Sequence, residues 1–399
     1  MAGHATATLI RQVSTLERRF SSGLRSPAVA ARLGIALGVA FGICFLTGLV
    51  SHFMQHPPDW LAWPSRPVWL YRVTQGVHVL TGIASVPLLL AKLWSVYPRL
   101  FTWPPFRSIA HALERGFVLL LVVAALSQVV TGVANIAYWY PFPFFFTTVH
   151  YGVAWLLVAG LVVHVAHKWR QARDELRVPL REAPHTPPPP ESPPVPSRNG
   201  LTRRQFLGTV GVAGGLLAAV TAGEAIPGLR RIALLAPRVG DIGPQGLPVN
   251  RTAAAAGLAG RLDEATYRLR VTGAVTRELT LTLGELAALP QVTVELPITC
   301  VEGWSANATW TGVRLRDLLQ RAGARPGSRV RVGSLQRGGR YRESYVDPPH
   351  ARDPLTVLAL RLGGEPLAPD HGYPCRLIAP NRPGVLQTKW VGVVEVLGP

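Results

Sequence analysis

The chain reads as two joined architectures: an N-terminal all-α transmembrane four-helix bundle with a fifth, signal-like helix, then a C-terminal α+β domain. Three observations lead there. Four apolar runs, roughly 29–51, 68–91, 112–137 and 147–167, are each long enough to cross a hydrocarbon core of about 30 Å. Only 16% of the 399 residues are charged, which is low for one soluble domain, and the basic ones lie between the apolar runs. Beyond about residue 240 the texture changes to short alternating strands punctuated by Gly and Pro.

The basic residues orient the first four helices. Arg11, Arg18, Arg19, Arg25, Lys92, Arg99, Arg107, Lys168, Arg170, Arg173 and Arg177 fall before the first run, between the second and third, and after the fourth. The loops 52–67 and 138–146 hold only Arg66. The positive-inside bias therefore places a segment 1–28 and residues 168–204 in the cytoplasm of a multi-pass plasma (inner) membrane protein. Trp60, Trp63, Trp69, Trp139 and Tyr140 form the belt at the opposite interface. The formal net charge of +19 is thus a sign of orientation, and no nucleic acid is expected as a partner, since basic residues and stacking aromatics do not cluster.

Imidazoles inside a bilayer are costly and tend to be functional. His52 and His56 end the first run, His78 lies in the second and His111 opens the third. The fourth carries His150, His164 and His167. His150 and His164 are fourteen residues apart, nearly four turns, so they share a face and stand ~21 Å apart along the axis. One helix then offers an axial ligand near each membrane surface, as two stacked b-type haems require. The pattern resembles the bacterial dihaem cytochrome b family of formate dehydrogenase and nickel–iron hydrogenase membrane anchors. That family uses such a fourth-helix pair with a second-helix histidine, matched by His78. It usually takes its remaining ligand from the inner end of helix 1, where this sequence has no histidine, and His111 is the substitute. By depth, His78 pairs with His150 around an outer haem and His111 with His164 around an inner one. His52 is the alternate to His78, and His56 and His167 read as interfacial. The resemblance implies a bundle, residues 29–170, that exchanges electrons with a membrane quinone pool.

A Pro-rich linker, 171–200, follows; its run Pro187-Pro188-Pro189-Pro190 cannot build a core. Next comes Thr202-Arg203-Arg204-Gln205-Phe206-Leu207 and a weakly apolar, Gly-rich stretch, together 201–227, which resembles a twin-arginine export signal. That implies the twin-arginine translocation machinery as a partner, with the signal retained. A plain fifth helix would equally place residues beyond about 230 outside the cytoplasm.

In the domain 240–399, Tyr267–Gly273 alternates like a strand, while Thr282–Leu286 and Arg314–Leu319 read as helix starts. Cys300 lies in Leu296-Pro297-Ile298-Thr299-Cys300-Val301-Glu302-Gly303-Trp304, after an apolar strand and before a glycine–aromatic turn. Alone it would read as a buried small hydrophobe. With Trp310-Thr311-Gly312, Gly363-Gly364-Glu365-Pro366-Leu367, Asp370-His371-Gly372-Tyr373-Pro374-Cys375-Arg376 and Lys389-Trp390-Val391, the run resembles the sulfite oxidase family. There one cysteine ligates molybdenum held by a pterin dithiolene.

The resemblance implies a molybdopterin oxidoreductase fold over roughly 245–398, with Cys300 as the catalytic metal ligand. Asn250, Arg251, His371, Arg376 and Lys389 would grip the anionic pterin cofactor, and Cys375 reads as packing. A short form without a following immunoglobulin-like domain is similar to the periplasmic methionine sulfoxide reductase catalytic subunit. The expected whole is a membrane-bound molybdenum oxidoreductase linking quinone, b-type haems and an extracytoplasmic oxygen-atom-transfer site for a small S-oxide or N-oxide. The alternatives are a sulfite-type dehydrogenase feeding quinone, or a non-enzymatic haem membrane protein with a degenerate outer domain. The segment Val332–Gly339 departs from the family's acidic turn and leaves the substrate open.

Overall fold

The computed structural model describes residues 24–98, 108–180, 201–223, 225–236, 238 and 242–398. Arg11, Arg18, Arg19, Arg99, Arg107 and the linker residues 181–200 lie outside the described residues. The backbone sorts into two compact units: Met1–Phe45, Leu80–Asn135 and Trp139–Ala218 form one, and Leu46–Val79, Ile136–Tyr138 and Ala219–Pro399 the other.

Among the described residues there are five long helices: α1 (Pro27–Gln55), α2 (Leu70–Val96), α3 (Ile109–Ile136), α4 (Phe146–Arg177) and α5 (Arg203–Ala222). All five are long and apolar enough to cross a membrane. Val39, Leu46, Leu120 and Val162 are exposed, whereas Ala124, Ala125, Thr131 and Ala134 are buried. Small residues inside and large apolar ones outside suit a lipid solvent and suggest membrane insertion. In the first unit, Leu37, Phe41, Leu89, Ala124 and Leu157 form one apolar cluster, and Val29, Leu33, Ala91 and Val210 another. The expected division at residue 171 differs from the structure, where α4 runs on to Arg177. Residues 168–177 are mostly good helix formers, and Pro179 ends the run.

Among its described residues the second unit has ten strands, β1 (Leu269–Gly273), β2 (Leu279–Leu281), β3 (Gln291–Thr299), β4 (Ser305–Arg314), β5 (Arg329–Ser334), β6 (Glu343–Val346), β7 (Val357–Leu362), β8 (Glu365–Pro366), β9 (Arg376–Ile378) and β10 (Val391–Gly398). They form two sheets, ordered β2-β1-β10-β5-β6 and β3-β4-β7-β8, with β9 also on β7. Leu269 and Val271 point inward on β1 while Arg270 points out, so period-two alternation sets the buried face. Leu286, Leu318, Val330, Leu377 and Val394 join them in the larger core. Cys375 is fully buried there, and burial pushes its thiol up to about 12, as packing requires. Short helices α6 (Leu283–Ala288) and α7 (Leu315–Arg321) begin where the sequence placed helix starts.

Candidate metal centre

Cys300 sits at the tip of the β3–β4 hairpin. The strands pair in register down to Thr299 opposite Ser305, leaving residues 300–304 as the loop. The Cys300 N–H donates to the Trp304 carbonyl at 2.9 Å, and the Gly303 N–H to the Cys300 carbonyl at 3.1 Å. The thiol is thus held at a rigid turn on a long antiparallel ladder. Burial, then the neighbouring Glu302 charge, pushes it well above the ordinary thiol range. A thiolate at this point needs a cation beside it.

Asn250 brings a distant segment onto the same loop. Its Nδ2 donates to Cys300 Sγ at 2.8 Å and to Glu302 Oε2 at 2.6 Å. Its Oδ1 accepts from Trp304 Nε1 at 3.2 Å and from the Arg238 guanidinium. The Tyr138 hydroxyl donates to the Asn250 carbonyl at 2.6 Å, with Arg238 stacked 4.3 Å from the Tyr138 ring centroid. The amide orients thiol and carboxylate together.

A cationic group is assembled by the turn after β8, β9 and the bend leading into β10. Gly372 has φ +111°, and a Cβ there would meet the Cβ atoms of Lys389 at 3.1 Å and Arg376 at 3.2 Å. A residue lacking that atom lets the two chain segments close. Arg376 is buried, its NH1 donates to the His371 carbonyl at 3.1 Å, and its buried Nε meets no acceptor. Lys389 Nζ donates to the carbonyls of Arg251 at 2.6 Å and Asp370 at 2.8 Å. Burial first, then Arg376, lowers its ammonium to about 7. The Arg251 side chain is exposed and donates to the Ala255 carbonyl at 3.2 Å. His371 is buried, Nε2 donates to the Pro244 carbonyl at 2.6 Å, and burial lowers the ring to about 4. It therefore offers a neutral imidazole at neutral pH. A buried guanidinium with one N–H lacking an acceptor, beside a half-buried ammonium that it destabilises, fits an anionic cofactor phosphate. Arg376 and Lys389 both lie within electrostatic reach of Cys300, so cationic group and thiol belong to one site. Among the described residues no three His, Cys, Asp or Glu side chains gather around a point, so a metal on Cys300 would draw further donors from the cofactor.

Sequence reasoning singled out the thiol, Asn250 and the cations but missed Glu302, Trp304, Arg238 and Tyr138. Glu302 and Trp304 lay inside the quoted motif; Arg238 and Tyr138 carried no local signal. It also missed Tyr71 and Tyr341, both within electrostatic reach of Cys300.

The helix histidines each have defined surroundings. In the first unit, His150 Nδ1 lies 2.9 Å from Thr131 Oγ1, whose hydroxyl is 2.6 Å from the Ser127 carbonyl. With the hydroxyl proton on that carbonyl, Nδ1–H donates to Thr131 and leaves Nε2 as a lone pair, the state of a metal-ligating imidazole. His164 is half-buried on the same helix, and His111 lies in the first turn of α3, its N–H capped by Ser108. In the second unit, the His78 ring fills the space that a Cβ on Gly48 would need, at 2.8 Å. His52 and His56 lie side by side, their ring centroids 4.9 Å apart and their planes tilted by 31°.

Residues 256–398 match the family described as oxidoreductase molybdopterin binding domain. A putative protein-methionine-sulfoxide reductase subunit YedZ1 of Azospira oryzae is 35% identical over 135 residues, 34% of this chain and 50% of that protein. A nitrate reductase (NADH) of Volvox carteri is 33% identical over 171 residues, 35% of this chain and 20% of that one. Mitochondrial sulfite oxidase of Drosophila melanogaster is 31% identical over 155 residues, covering 33% and 27% respectively. The solved sulfane dehydrogenase SoxCD of Paracoccus pantotrophus matches at 25% identity with a TM-score of 0.34, covering 40% of this chain and 44% of that chain. The chain spans half or less of the length of these curated relatives. The protein carries a molybdopterin-binding oxidoreductase domain, similar to those of sulfite oxidase and nitrate reductase.

Proposed function

We propose that the protein is a membrane-bound molybdenum oxidoreductase that exchanges electrons between a quinone pool, b-type haems and an extracytoplasmic oxygen-atom-transfer site, working as an S-oxide or N-oxide reductase. One observation carries the reading: a buried thiol at a hairpin tip is bonded by Asn250 beside Glu302 and lies within electrostatic reach of buried Arg376 and half-buried Lys389. Cys300 would ligate molybdenum, with Asn250 orienting the thiol, while Arg251, Arg376, Lys389 and the neutral His371 hold the pterin. His150 would ligate a haem through Nε2, partnered by His78 (His52 as alternate), and His164 a second one with His111. Bound molybdenum would supply two-electron oxygen-atom exchange, and the haems one-electron carriage to and from quinone.

The chain's own groups do the rest. Glu302, fixed beside the thiol by Asn250, would hand over one of the two protons taken up when a substrate oxygen leaves as water, the other coming from solvent. The cations neutralise the cofactor anion. The apolar helices anchor the molecule in the membrane with the N-terminus cytoplasmic, and the helix opened by Arg203 and Arg204 delivers the catalytic domain outward through the twin-arginine machinery.

Replacing the thiol tests the reading directly. Cys300→Ser should lose S-oxide reduction by more than 100-fold while b-type absorbance stays intact; full activity would refute the metal assignment. His150→Ala should remove one haem equivalent, and wild-type protein with no b-type absorbance would refute the cytochrome half.

A further inference from the structure

The first ten residues of α2 fold in the same compact unit as the metal centre. Tyr71, Gln75 and Val79 recur at intervals of four and so form one stripe on that helix. All three are buried. The Tyr71 N–H donates to Asn381 Oδ1 at 2.9 Å, and Asn381 Nδ2 donates to the Pro64 carbonyl at 2.8 Å. One turn on, Gln75 Nε2 donates to the Val301 carbonyl at 2.9 Å, on the residue next to Cys300. One further turn on, Val79 lies against Gly303, which has φ +103° and where a Cβ would come within 2.8 Å of Val79 Cγ2. The stripe therefore meets the five-residue loop at two points, its second and fourth residues.

A glutamine amide only 4% exposed is costly unless its N–H groups find an acceptor. The acceptor is the backbone of the loop that presents the thiol. The neighbouring ties repeat the arrangement at the rim: Arg72 NH1 donates to Asn307 Oδ1 at 2.8 Å, and Arg66 forks onto Asp353 at 3.1 and 3.2 Å.

We propose that Gln75 is a positioning residue of the metal centre. Its amide fixes the Val301 carbonyl and, with Val79 on Gly303, sets the angle at which the hairpin tip presents Cys300. The start of α2 is then a working part of the site, and a movement of that helix reaches the metal ligand through one hydrogen bond and one packing contact. The inference rests on Cys300 as the molybdenum ligand.

The test uses the full-length protein in detergent, read by metal content, the Mo(V) electron paramagnetic resonance signal and amide hydrogen exchange over residues 300–304. Gln75→Met keeps the chain length and removes the donor. It should retain wild-type molybdenum, change the Mo(V) line shape and speed exchange in the loop about tenfold, the effect of one lost hydrogen bond. An unchanged line shape and unchanged exchange in a molybdenum-loaded variant would overturn the proposal. The same changes in Arg72→Gln, which cuts only an exposed tie, would also overturn it by showing a general effect of helix docking. If Gln75→Met does not accumulate, Val79→Ala, which unloads Gly303 without touching a polar group, must shift the line shape; no shift overturns the proposal. Wild-type protein without molybdenum would instead defeat the reading of Cys300.

Discussion

Asn250 commits its whole side-chain amide to the Cys300 loop and its surroundings, since two donors serve Cys300 and Glu302 and the oxygen serves Trp304 and Arg238. Aspartate in its place would keep the acceptor and lose both donations. Buried imidazoles show the same dependence on surroundings. His350 is 4% exposed, and burial first, then Arg382, lowers it to about 4, so it is neutral in the fold. The unfolded value is near 6.5. A depressed folded value gives stability that is present in full above pH 6.5 and declines as pH falls from 6.5 towards 4. The expected loss is on the order of 3 kcal/mol from this group. Melting temperatures of detergent-solubilised wild type and His350→Leu at pH 7.5 and 4.5 would measure it. The wild type should fall further than the variant, and equal falls would mean that His350 is not a buried neutral group.

Among the elements, α6 was the easiest to read. Thr282 accepts from the Glu285 N–H at 3.1 Å and Glu285 Oε2 accepts from the Thr282 N–H at 2.8 Å, a reciprocal box encoded in four adjacent residues. Thr282→Ala should lower the stability of the C-terminal domain by about 1 kcal/mol, read as a chemical-denaturation midpoint shift. No shift would mean that tertiary packing alone holds the helix. The five apolar helices were legible for a similar reason, because length and hydropathy are local properties. Gly372 and Cys300 were legible through motif spacing. Arg238 and Tyr138 were not, since nothing near them in sequence signals that they meet Asn250. Gln75 was hidden most deeply. It is one of several polar residues on α2, beside Arg72, Thr74 and His78, and its partner lies 226 positions away. Contacts fixed by closing a long loop leave no periodic trace in the chain.

At the scale of the whole molecule, the order of parts poses a problem of delivery. The domain that would hold the pterin follows an apolar helix, Arg203–Ala222, that opens with two arginines. A cofactor-loaded domain must cross the membrane folded, whereas a plain fifth helix would thread its sequel across unfolded. Charge alone does not separate these routes, because both need positive residues on the cytoplasmic side. Guanidinium chemistry does. Arg203→Lys together with Arg204→Lys keeps both charges and removes the planar, forked donor pair. Residues beyond 230 should then stay cytoplasmic while α1 to α4 still insert, so protease added outside intact cells would digest the wild-type outer domain and spare the mutant one. Molybdenum content offers a second reading, since the retained mutant domain should still load its cofactor in the cytoplasm. Equal digestion of wild type and mutant would show that the paired arginines are only topological charges and that α5 is an ordinary membrane helix.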